Sequence, residues 1–463
     1  MTLSRRQFLK SSGWVAAGVT IVLASQRIPF PTLPTLRENL KKQAYQWLQL
    51  LPNGQVRFFL GKAEMGQGIL SGLSQLVAEE MQIPLSQVLT VLPDTQQIDP
   101  MRMTVGSDSM QNLWEPLRQA AAQLRHLLFE KAAVKLDAPI KDIQWQNDTL
   151  SSQRSQVTLA ELLESEPYIQ LAQSNGLSTE LTSPKKFRII GHAVPRKDIP
   201  DKVSGITRYT QDLVLPNMVF GSVVKPPTSS AKLVSVNQGL VESMAGVLKV
   251  LVNLKESWVG IVADTPFELK AAAEAIQCVW QDSESASADS NELLDIQSLL
   301  AKGSAPHSVH EESNGVQSTG LTQAIGLEFS TPFNAHGFME TQAAVAHVNE
   351  DRADVWVGSQ DPFFHQALVA KAVGMKKSQV SVHPMLLGGG FGGKVLVKAA
   401  IEAALLSQIV NLPVKVIWSR EESFQQSYFR SPSQHQIKAS IDSRGRIATW
   451  HHRLASGRVI FPI

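Results

Sequence analysis

The feature that constrains this chain most is a glycine-rich loop, Gly388–Lys394, with the sequence GGGFGGK between a predicted strand and a predicted helix. Glycine loses more conformational entropy on folding than any other residue, and a structural turn needs only one or two. Five glycines in seven residues therefore indicate backbone that a ligand approaches closely. The loop fails the Walker A pattern at Val395 and lacks the acidic residue of a dinucleotide fingerprint. A nicotinamide-dependent dehydrogenase built on this loop is therefore a disfavoured alternative.

Two earlier loops have the same character. Gly61–Gly68 (GKAEMGQG) precedes a predicted helix whose first N–H groups could bind an anion, and Gln67 could hydrogen-bond a heterocycle. Thr104–Ser109 (TVGSDS) precedes a second predicted helix and offers hydroxyl and N–H groups to a phosphate. The alternative for this loop is that Ser107 and Ser109 cap the helix. We expect the three loops to converge on one ligand.

Composition excludes several classes of protein. The 463 residues are 43% hydrophobic and 18% charged, which is typical of a globular chain, and the net charge of +2 gives no general attraction to nucleic acid or membranes. Cys278 is the single cysteine, so internal disulfides, cysteine-bound iron–sulfur clusters and cysteine zinc sites are excluded. No serine-hydrolase elbow is present. The following histidines lack metal-ligand spacing and are predicted to be strand or surface residues: His336, His365, His383, His451 and His452.

The N-terminus has the pattern of an export signal. Arg5 and Arg6 precede an apolar run from Trp14 to Ala24, which is shorter than the roughly 20 residues of a membrane-spanning helix. The arginine pair with its flanking Ser, Phe, Leu and Lys indicates a twin-arginine signal, which predicts a periplasmic protein. The alternative is an ordinary amphipathic start with a chance arginine pair.

Periodicity and composition divide the chain into segments, with an α+β fold built from mixed α/β cofactor-binding domains. Helices are predicted over 69–81 and 110–133, an alanine-rich helix over 268–278, and alternating strands and helices after 353. The predicted segments are a signal peptide (1–28), an N-terminal segment (29–182), a linker (183–201), a small domain (202–282), a Ser-rich acidic linker (283–318) and a last segment of alternating strands and helices (319–463).

These motifs, in this order, resemble the molybdenum hydroxylases of the xanthine dehydrogenase and aldehyde oxidase family, in particular the large molybdopterin-binding subunit of the isoquinoline 1-oxidoreductase type. The resemblance covers most of the chain after the signal. It implies that 29–182 is an N-terminal molybdopterin-binding segment, that 202–282 is a hammerhead-like domain and that 319–463 is an incomplete molybdopterin-binding domain. The stretches that carry it are Glu64–Gly68 (EMGQG), Trp114–Arg118 (WEPLR), Lys202–Gly205 (KVSG), Val355–Gln360 (VWVGSQ) and Leu387–Lys394 (LGGGFGGK).

The resemblance implies a role for each matching residue. Gln360 matches the glutamine near the oxo ligand of molybdenum, and Phe391 matches the aromatic residue beside the metal and the substrate. Arg430 lies where xanthine-type enzymes have a substrate-facing arginine, although a surface arginine before Pro432 is an equal alternative. The residues that match cofactor contacts are Gly66, Gln67, Gly68, Thr104, Gly106, Ser107, Ser109, Gly389, Gly390 and Gly392.

The family's chemistry implies the rest. The cofactor would be a molybdopterin dinucleotide, in the cytosine form, and the reaction would hydroxylate an aldehyde or an N-heteroaromatic compound with oxygen from water. Because this chain has one cysteine, electrons would pass to a separate small iron–sulfur subunit.

Two departures qualify these expectations. The sequence ends at Ile463, after a predicted hairpin, whereas the family's pattern continues with the glutamate that acts as general base; Glu64 and Glu340 do not match it. The expectation is therefore an N-terminal portion, either completed by another chain as a split enzyme or left as an inactive remnant that only binds. Val395 replaces a glutamate of xanthine-type enzymes, which makes purine oxidation improbable.

Overall fold

The computed structural model describes residues 44–164, 166–171, 179–228, 231–281 and 321–456. Within them, helices combine with separate mixed and antiparallel sheets, so the α+β fold class is confirmed. The predicted signal peptide (1–28) and the predicted Ser-rich linker (283–318) lie outside the described residues. In the described part, none of the helices is both long enough and apolar enough to cross a membrane.

The N-terminal part of the fold is a small mixed sheet covered by two helices. Strand β1 (Leu48–Leu50) pairs antiparallel with β2 (Val56–Phe59), and β2 pairs parallel with β3 (Val88–Val91). Helix α1 (Ile69–Met81) connects β2 to β3, and helix α2 (Ser109–Leu136) packs along α1. Their apolar residues form one buried core with the sheet. The first glycine-rich loop thus lies between the end of β2 and the start of α1.

Short elements surround this core and lead into the second half. They are β4 (Gln144–Gln146), β5 (Thr149–Ser151), β6 (Gln156–Thr158), α3 (Leu159–Leu163) and α4 (Ile199–Val203). The strands β4 to β6 form an antiparallel meander, and Thr158 begins α3 with a capping box.

The remaining strands are β7 (Val219–Val224), β8 (Lys232–Val236), β9 (Val247–Asn253), β10 (Trp258–Ala263), β11 (Cys278–Gln281), β12 (Leu321–Thr331), β13 (Ala343–Val348), β14 (Ala353–Val357), β15 (Val380–Pro384), β16 (Val414–Ile417), β17 (Ser433–Asp442) and β18 (Ile447–Ser456). The remaining helices are α5 (Gln238–Glu242), α6 (Pro266–Ala275), α7 (Pro362–Val373), α8 (Lys398–Val410) and α9 (Arg420–Gln426).

A seven-stranded sheet forms the centre of the second half, in the order β15-β14-β13-β16-β7-β10-β9. Strands from the predicted 202–282 segment (β7, β9 and β10) therefore share one sheet with β13 to β16. Helix α8 packs closely on this sheet because Gly221 and Gly260 lie beneath Leu406, where an added Cβ would approach its side chain to 2.6 Å. The predicted segment boundaries themselves stay predictions.

The topology of this sheet positions the site. Strands β14 and β15 are parallel neighbours, so their carboxyl ends meet at the same edge. The segment containing Gln360 follows β14, and the Gly388–Lys394 loop follows β15. In sheets of this kind ligands bind at the carboxyl ends of parallel strands.

Several predicted elements differ in detail from the structure. The helices predicted over 69–81 and 110–133 are confirmed, the second with extra residues at both ends. The helix predicted to reach Cys278 is wrong at its end: it stops at Ala275, and Ile276 is already extended. Cys278 begins β11, which pairs with β8, so sheet pairing has overridden the helical preference of the alanine run.

A further sheet, β12-β17-β18, is long, antiparallel and solvent-exposed over much of both faces. Sequence periodicity identified only parts of β17 and β18 and missed β12, in which Ile325, Leu327 and Phe329 alternate with Gly326, Glu328 and Ser330.

Candidate functional site

The side-chain amide of Gln360 joins two of the three loops. Gln360 is only 2% exposed, and its Oε1 accepts hydrogen bonds from the backbone N–H groups of Gly392 (3.0 Å) and Lys394 (3.2 Å). Its Nε2 donates to the carbonyl of Thr104 (2.8 Å), whose N–H donates back to the Gln360 carbonyl (2.8 Å). An amide has one acceptor oxygen and two N–H donors, so one N–H of Gln360 has no bond among the described residues.

The first loop is attached to the other two through its backbone. The N–H of Ala63 donates to Thr104 Oγ1 (2.9 Å), which ties the first loop to the second. The N–H of Leu387, directly before the glycine run, donates to the Glu64 carbonyl (3.0 Å) and ties the first loop to the third. The structure therefore brings the three loops together at one place in the fold.

The first loop does not present its helix N-terminus to a ligand. The carboxylate of Glu64 is buried, and its Oε1 accepts from the N–H groups of Gly66 (2.9 Å) and Gly68 (3.0 Å). Its Oε2 accepts from the N–H of Leu70 (2.9 Å). The expectation that these N–H groups are free for an anion is wrong, because an internal carboxylate already occupies the positive end of α1.

Gln67 is also bound within its own loop. Its Oε1 accepts from the N–H of Met65 (2.7 Å), and its Nε2 donates to the carbonyl of Ala63 (2.8 Å). One further N–H of the amide remains, so the cofactor contacts assigned to Gly66, Gln67 and Gly68 stay predictions.

The second loop leaves Ser107 available at the surface, whereas Thr104 is buried and hydrogen-bonded to Ala63 and Gln360. Gly106 (φ 67°) and Ser107 (φ 53°) both lie in the left-handed region, and Ser107 is exposed. The residue that caps α2 is Asp108; its side chain makes no capping hydrogen bond, and its Oδ2 pairs with Arg102 (2.9 Å). The alternative that Ser107 and Ser109 cap this helix is therefore wrong. Contacts from Thr104, Gly106, Ser107 and Ser109 to a cofactor remain predictions.

Phe391 is the most strained residue of the third loop. It has φ 54°, a left-handed value that an aromatic side chain rarely adopts, and its side chain is 70% exposed. Gly389 and Gly392 on either side also have positive φ values. Strain of this kind is found at functional sites and costs about 1–3 kcal/mol. The loop thus holds an aromatic side chain in solvent at an energetic cost.

The third loop is also the one with unpaired backbone donors. Among the described residues, the N–H groups of Gly389, Gly390 and Phe391 have no hydrogen-bond acceptor. These donors, together with the Ser107 hydroxyl and the spare N–H of Gln360, fit a ligand rich in acceptor atoms, such as a pterin with phosphate groups. The residues present therefore fit the organic part of the cofactor that the sequence predicts.

A buried ion pair closes the third loop. Lys394 is buried, and its Nζ donates to Glu340 Oε2 (2.5 Å), which also accepts from the Gly388 N–H (2.9 Å). Burial lowers the pKa of Lys394, and the carboxylate opposes that shift. The two ends of the loop are thus held by one oxygen of Glu340. The motif containing Glu340 was noted in the sequence, but this pairing was not foreseen.

His365 is a second residue whose role was missed. It was predicted to be a strand or surface histidine, which is wrong: it is fully buried on α7. Its Nε2 accepts from the Val397 N–H (2.8 Å), and its Nδ1 lies 2.8 Å from both Ser359 Oγ and the Asp361 carbonyl. Burial lowers its pKa to about 4, so it is neutral at pH 7. It braces the residues beside Gln360 against the segment that follows the glycine loop.

Two charged residues lie beneath the loops. Burial lowers the pKa of Lys62 to about 8, and its Nζ donates to the Arg102 carbonyl (2.7 Å). Burial raises the pKa of Asp361 to about 6, with Lys62 opposing the shift. Lys62 and Gln360 line a small pocket whose other walls are mainly apolar. In the described residues, no group of three or more His, Cys, Asp or Glu side chains could hold a metal ion.

Arg430 lies near the third loop but not against it. Its backbone bridges Asn334, and its guanidinium donates to the Pro332 carbonyl (3.3 Å) from an exposed position. Nearby, Tyr428 donates its hydroxyl to the Gly392 carbonyl and stacks edge-on to His336 at 5.1 Å. Burial raises the pKa of Tyr428 and lowers that of His336. Contact of Arg430 with a substrate stays a prediction.

Comparison with known protein families shows which family the chain belongs to. Two molybdopterin cofactor-binding domain profiles match the chain, one over residues 3–193 and the other over residues 307–458. The chain belongs to the molybdopterin-binding subunits of the xanthine dehydrogenase family. The two matched regions contain all three loops and Gln360, so molybdopterin and molybdenum are the cofactor components of this family member.

The curated relatives of this chain include subunits of a dehydrogenase and of an oxidoreductase. The chain is 25% identical to a nicotinate dehydrogenase subunit of Pseudomonas putida over 460 residues (96% of this chain, 38% of that protein). It is 26% identical to the beta chain of isoquinoline 1-oxidoreductase from Brevundimonas diminuta (98% of this chain, 64% of that protein). Quinoline 2-oxidoreductase from Pseudomonas putida 86 is a similar solved structure, with 21% identity, 57% of this chain and 39% of that chain covered, and a TM-score of 0.45. The chain therefore spans less than two thirds of the length of these relatives.

Proposed function

We propose that this family member is the cofactor-binding part of a molybdenum hydroxylase that oxidises an aldehyde or an N-heteroaromatic compound. In that reaction a C–H bond of the substrate is replaced by C–OH, the oxygen comes from water, and two electrons and two protons leave. The observation that carries the proposal is the position of Gln360, whose one amide joins the second loop to the third while keeping an N–H spare.

The residues of the chain would bind and orient the cofactor rather than perform the redox step. When bound, the molybdenum cofactor supplies the two-electron oxidation. The free N–H groups of Gly389, Gly390 and Phe391 would donate to its acceptor atoms, and the Ser107 hydroxyl and nearby N–H groups would face its phosphates. Phe391 would lie beside the reacting atoms and exclude water from them.

The substrate class follows from two further observations. Val395 is buried directly after Lys394, where xanthine-type enzymes have a glutamate, so no acidic group is available there to bind a purine. The relatives are named for nicotinate and isoquinoline, which are N-heteroaromatic, and one matched subunit is named for aldehyde oxidation. These names support an aldehyde or an N-heteroaromatic substrate for this chain.

The electrons would leave through a partner. Cys278 is the single cysteine, and burial raises its pKa, so it is neither part of a cysteine set nor a reactive thiolate. A small iron–sulfur subunit is therefore the proposed electron acceptor. The twin-arginine pattern supports export of the loaded protein to the periplasm, and the family type supports the cytosine dinucleotide form of the cofactor.

A second candidate is a binding module without turnover, either a remnant or one half of a split enzyme. It is favoured by one observation: neither Glu64 nor Glu340 is placed as a general base. Glu64 accepts hydrogen bonds from N–H groups at the start of α1, and Glu340 pairs with Lys394.

The proposal is tested by cofactor retention. An added Cβ at Gly390 would lie 2.8 Å from Gln360 Oε1 and 2.9 Å from Met65 Sδ, whereas one at Gly239 would meet open space. We expect Gly390→Ala to lower molybdenum and released cytosine nucleotide at least about tenfold, a loss of roughly 1.4 kcal/mol in binding, and Gly239→Ala to leave both unchanged. Wild-type protein without either component would contradict cofactor binding, and a loaded protein without turnover would favour the binding module.

A further inference from the structure

His336 packs directly against the backbone of the third loop. A Cβ added at Gly393 would lie 2.9 Å from the Cβ of His336 and 2.6 Å from the ring of Phe338, so the loop can approach these side chains only because residue 393 is glycine. A Cβ added at Gly392 would have the Nε2 atom of His336 as its nearest non-adjacent atom, at 3.5 Å. One nitrogen of the imidazole ring therefore faces the loop that has the unpaired backbone N–H groups.

The second nitrogen of this ring belongs to a residue that lines a polar pocket. The Nδ1 atom of His336 is buried and has no hydrogen-bond partner among the described residues. The hydroxyl of Ser423, on α9, is in the same situation, and Ser423 is only 5% exposed. Both residues line one pocket, which we name the His336 pocket. Its other walls include Arg420, Phe424, Ser427, Tyr428 and Phe429.

The size and polarity of the His336 pocket fit one water molecule. A buried polar atom without a partner is costly, and ordered water commonly satisfies such atoms. The cavity has a volume of about 10 Å³, which is about what one water molecule requires. Water donates as well as accepts, so it can pair with a serine hydroxyl and with Nδ1 in either tautomer of the ring. Ser427, whose hydroxyl accepts from Gln342 (3.2 Å), has its own O–H to donate as a third partner.

The His336 pocket leads to solvent. Phe424 and Phe429, which line it, are 43% and 42% exposed, so a water molecule in the pocket lies between the ring and the protein surface. The imidazole ring therefore connects the third loop, at Nε2, with the solvent side of the fold, at Nδ1. A neutral imidazole can accept a proton at one nitrogen while it releases one from the other.

The surroundings of His336 keep its ring mainly uncharged at pH 7. Burial lowers the pKa of His336; a backbone contact with Tyr428 opposes this shift, and the charge of Arg430 adds to it. Arg420, which also lines the pocket, is a second cation, and its guanidinium donates to the Phe338 carbonyl (2.7 Å). The remaining charges of the third loop and its contacts, Lys394 and Glu340, neutralise each other as an ion pair.

We propose that His336 and one water molecule in the His336 pocket transfer a proton from the third loop to solvent. The inference rests on the proposed function, in which two protons leave for each substrate oxidised while the electrons pass to the partner. The Nε2 atom accepts one of these protons, and Nδ1 releases its own proton to the pocket water, which passes a proton to solvent. Rotation of the ring about its Cβ–Cγ bond then restores the starting tautomer, and no electron moves in this step.

Exchange of the ring proton with solvent tests the pocket without any turnover. The full chain is labelled with ¹⁵N-histidine, and His336→Gln identifies the resonances of His336 by their loss. Ser423→Val fills the pocket and should slow the exchange at least about tenfold relative to wild type, because the hydrogen bonds of the bridging water are lost. Ser423→Ala, which keeps the space, should slow it less. Ser235→Val, at an exposed position on β8, is the control and should not change it.

Two results of this measurement would overturn the inference. The first is an equal exchange rate in wild type and in both Ser423 variants. The second is a wild-type Nδ1 that is hydrogen-bonded to a protein carbonyl rather than to water.

The loaded protein tests the side of the ring that faces the loop. His336→Ala should lower kcat at least about tenfold with little change in KM, and imidazole in solution should restore much of the loss, because proton-transfer groups contribute about 10²–10⁴-fold. The variant should keep the molybdenum content of wild type. His192→Ala, at an exposed position, is the control and should change neither quantity.

The outcomes separate this inference from the proposed function. An unchanged kcat in His336→Ala, or a loss that imidazole does not restore, would overturn the proton path and leave the proposed reaction standing. Loaded wild-type protein without turnover would contradict the proposed reaction and the proton path together.

Discussion

The first and third loops look alike in sequence, yet they differ in what they leave available. Both are glycine-rich and both connect a strand to a helix. In the first loop, Glu64 accepts hydrogen bonds from the N–H groups of Gly66, Gly68 and Leu70. In the third loop, the acceptors Gln360 and Glu340 bind only its two ends and leave three central N–H groups unpaired among the described residues. Glycine content therefore predicts a tight bend, but the presence of a local acceptor decides whether the bend can bind a ligand.

The largest expected effect comes from removing the internal acceptor of the first loop. Glu64→Ala removes the acceptor of three N–H groups, those of Gly66, Gly68 and Leu70, and hydrogen bonds to a charged group contribute about 1.5–3 kcal/mol each. We expect the free energy of unfolding to fall by about 4 kcal/mol, measured by urea denaturation. Glu350→Ala, in an exposed turn, is the matched control and should change it by less than about 0.5 kcal/mol. An equally small change at Glu64 would remove the distinction between the loops.

The second effect concerns the neutral brace of the third loop. The pKa of His365 is lowered from 6.5 to about 4 in the folded protein, so the unfolded chain binds more protons between these values. Stability must therefore fall as the pH falls from 6.5 to 4, by on the order of 3 kcal/mol. The difference in unfolding free energy between wild type and His365→Gln should shrink over this range. Parallel pH profiles for the two proteins would contradict a buried neutral histidine.

The third and smallest effect concerns Phe391 and separates its backbone strain from its contact with the cofactor. Phe391→Gly relieves a left-handed backbone at a non-glycine residue and should stabilise the folded state by about 1 kcal/mol, although the added flexibility of the unfolded chain opposes this. The same variant should retain less molybdenum than wild type, because an aromatic contact at the cofactor is lost. A variant that is both less stable and fully loaded would show that Phe391 serves packing alone.

Local patterns predicted the bends and the long helices well, and failed where distant residues decide the outcome. The apolar spacing from Ile69 to Met81 was sufficient because α1 buries one continuous face. The end of α6 was missed because pairing of Cys278 with β8 is not visible in the alanine run.

Within the site, the sequence indicated Gln360 and Phe391. It did not indicate which loop has backbone N–H groups free to bind a ligand. The bonds made by Glu64, Glu340 and His365 depend on side-chain direction, which spacing does not specify. Capping by Ser107 and Ser109 was an open alternative for the same reason, and the position of Asp108 at the N-cap of α2 decides against it.

The most direct test of the convergence of these loops on one cofactor is to locate molybdenum by anomalous X-ray scattering at its absorption edge in crystals of the loaded protein. We expect a single peak beside the spare N–H of Gln360 and the ring of Phe391, with the second and third loops in contact with the organic part of the cofactor. A peak at the helix N-terminus occupied by Glu64, or elsewhere in the fold, would contradict it.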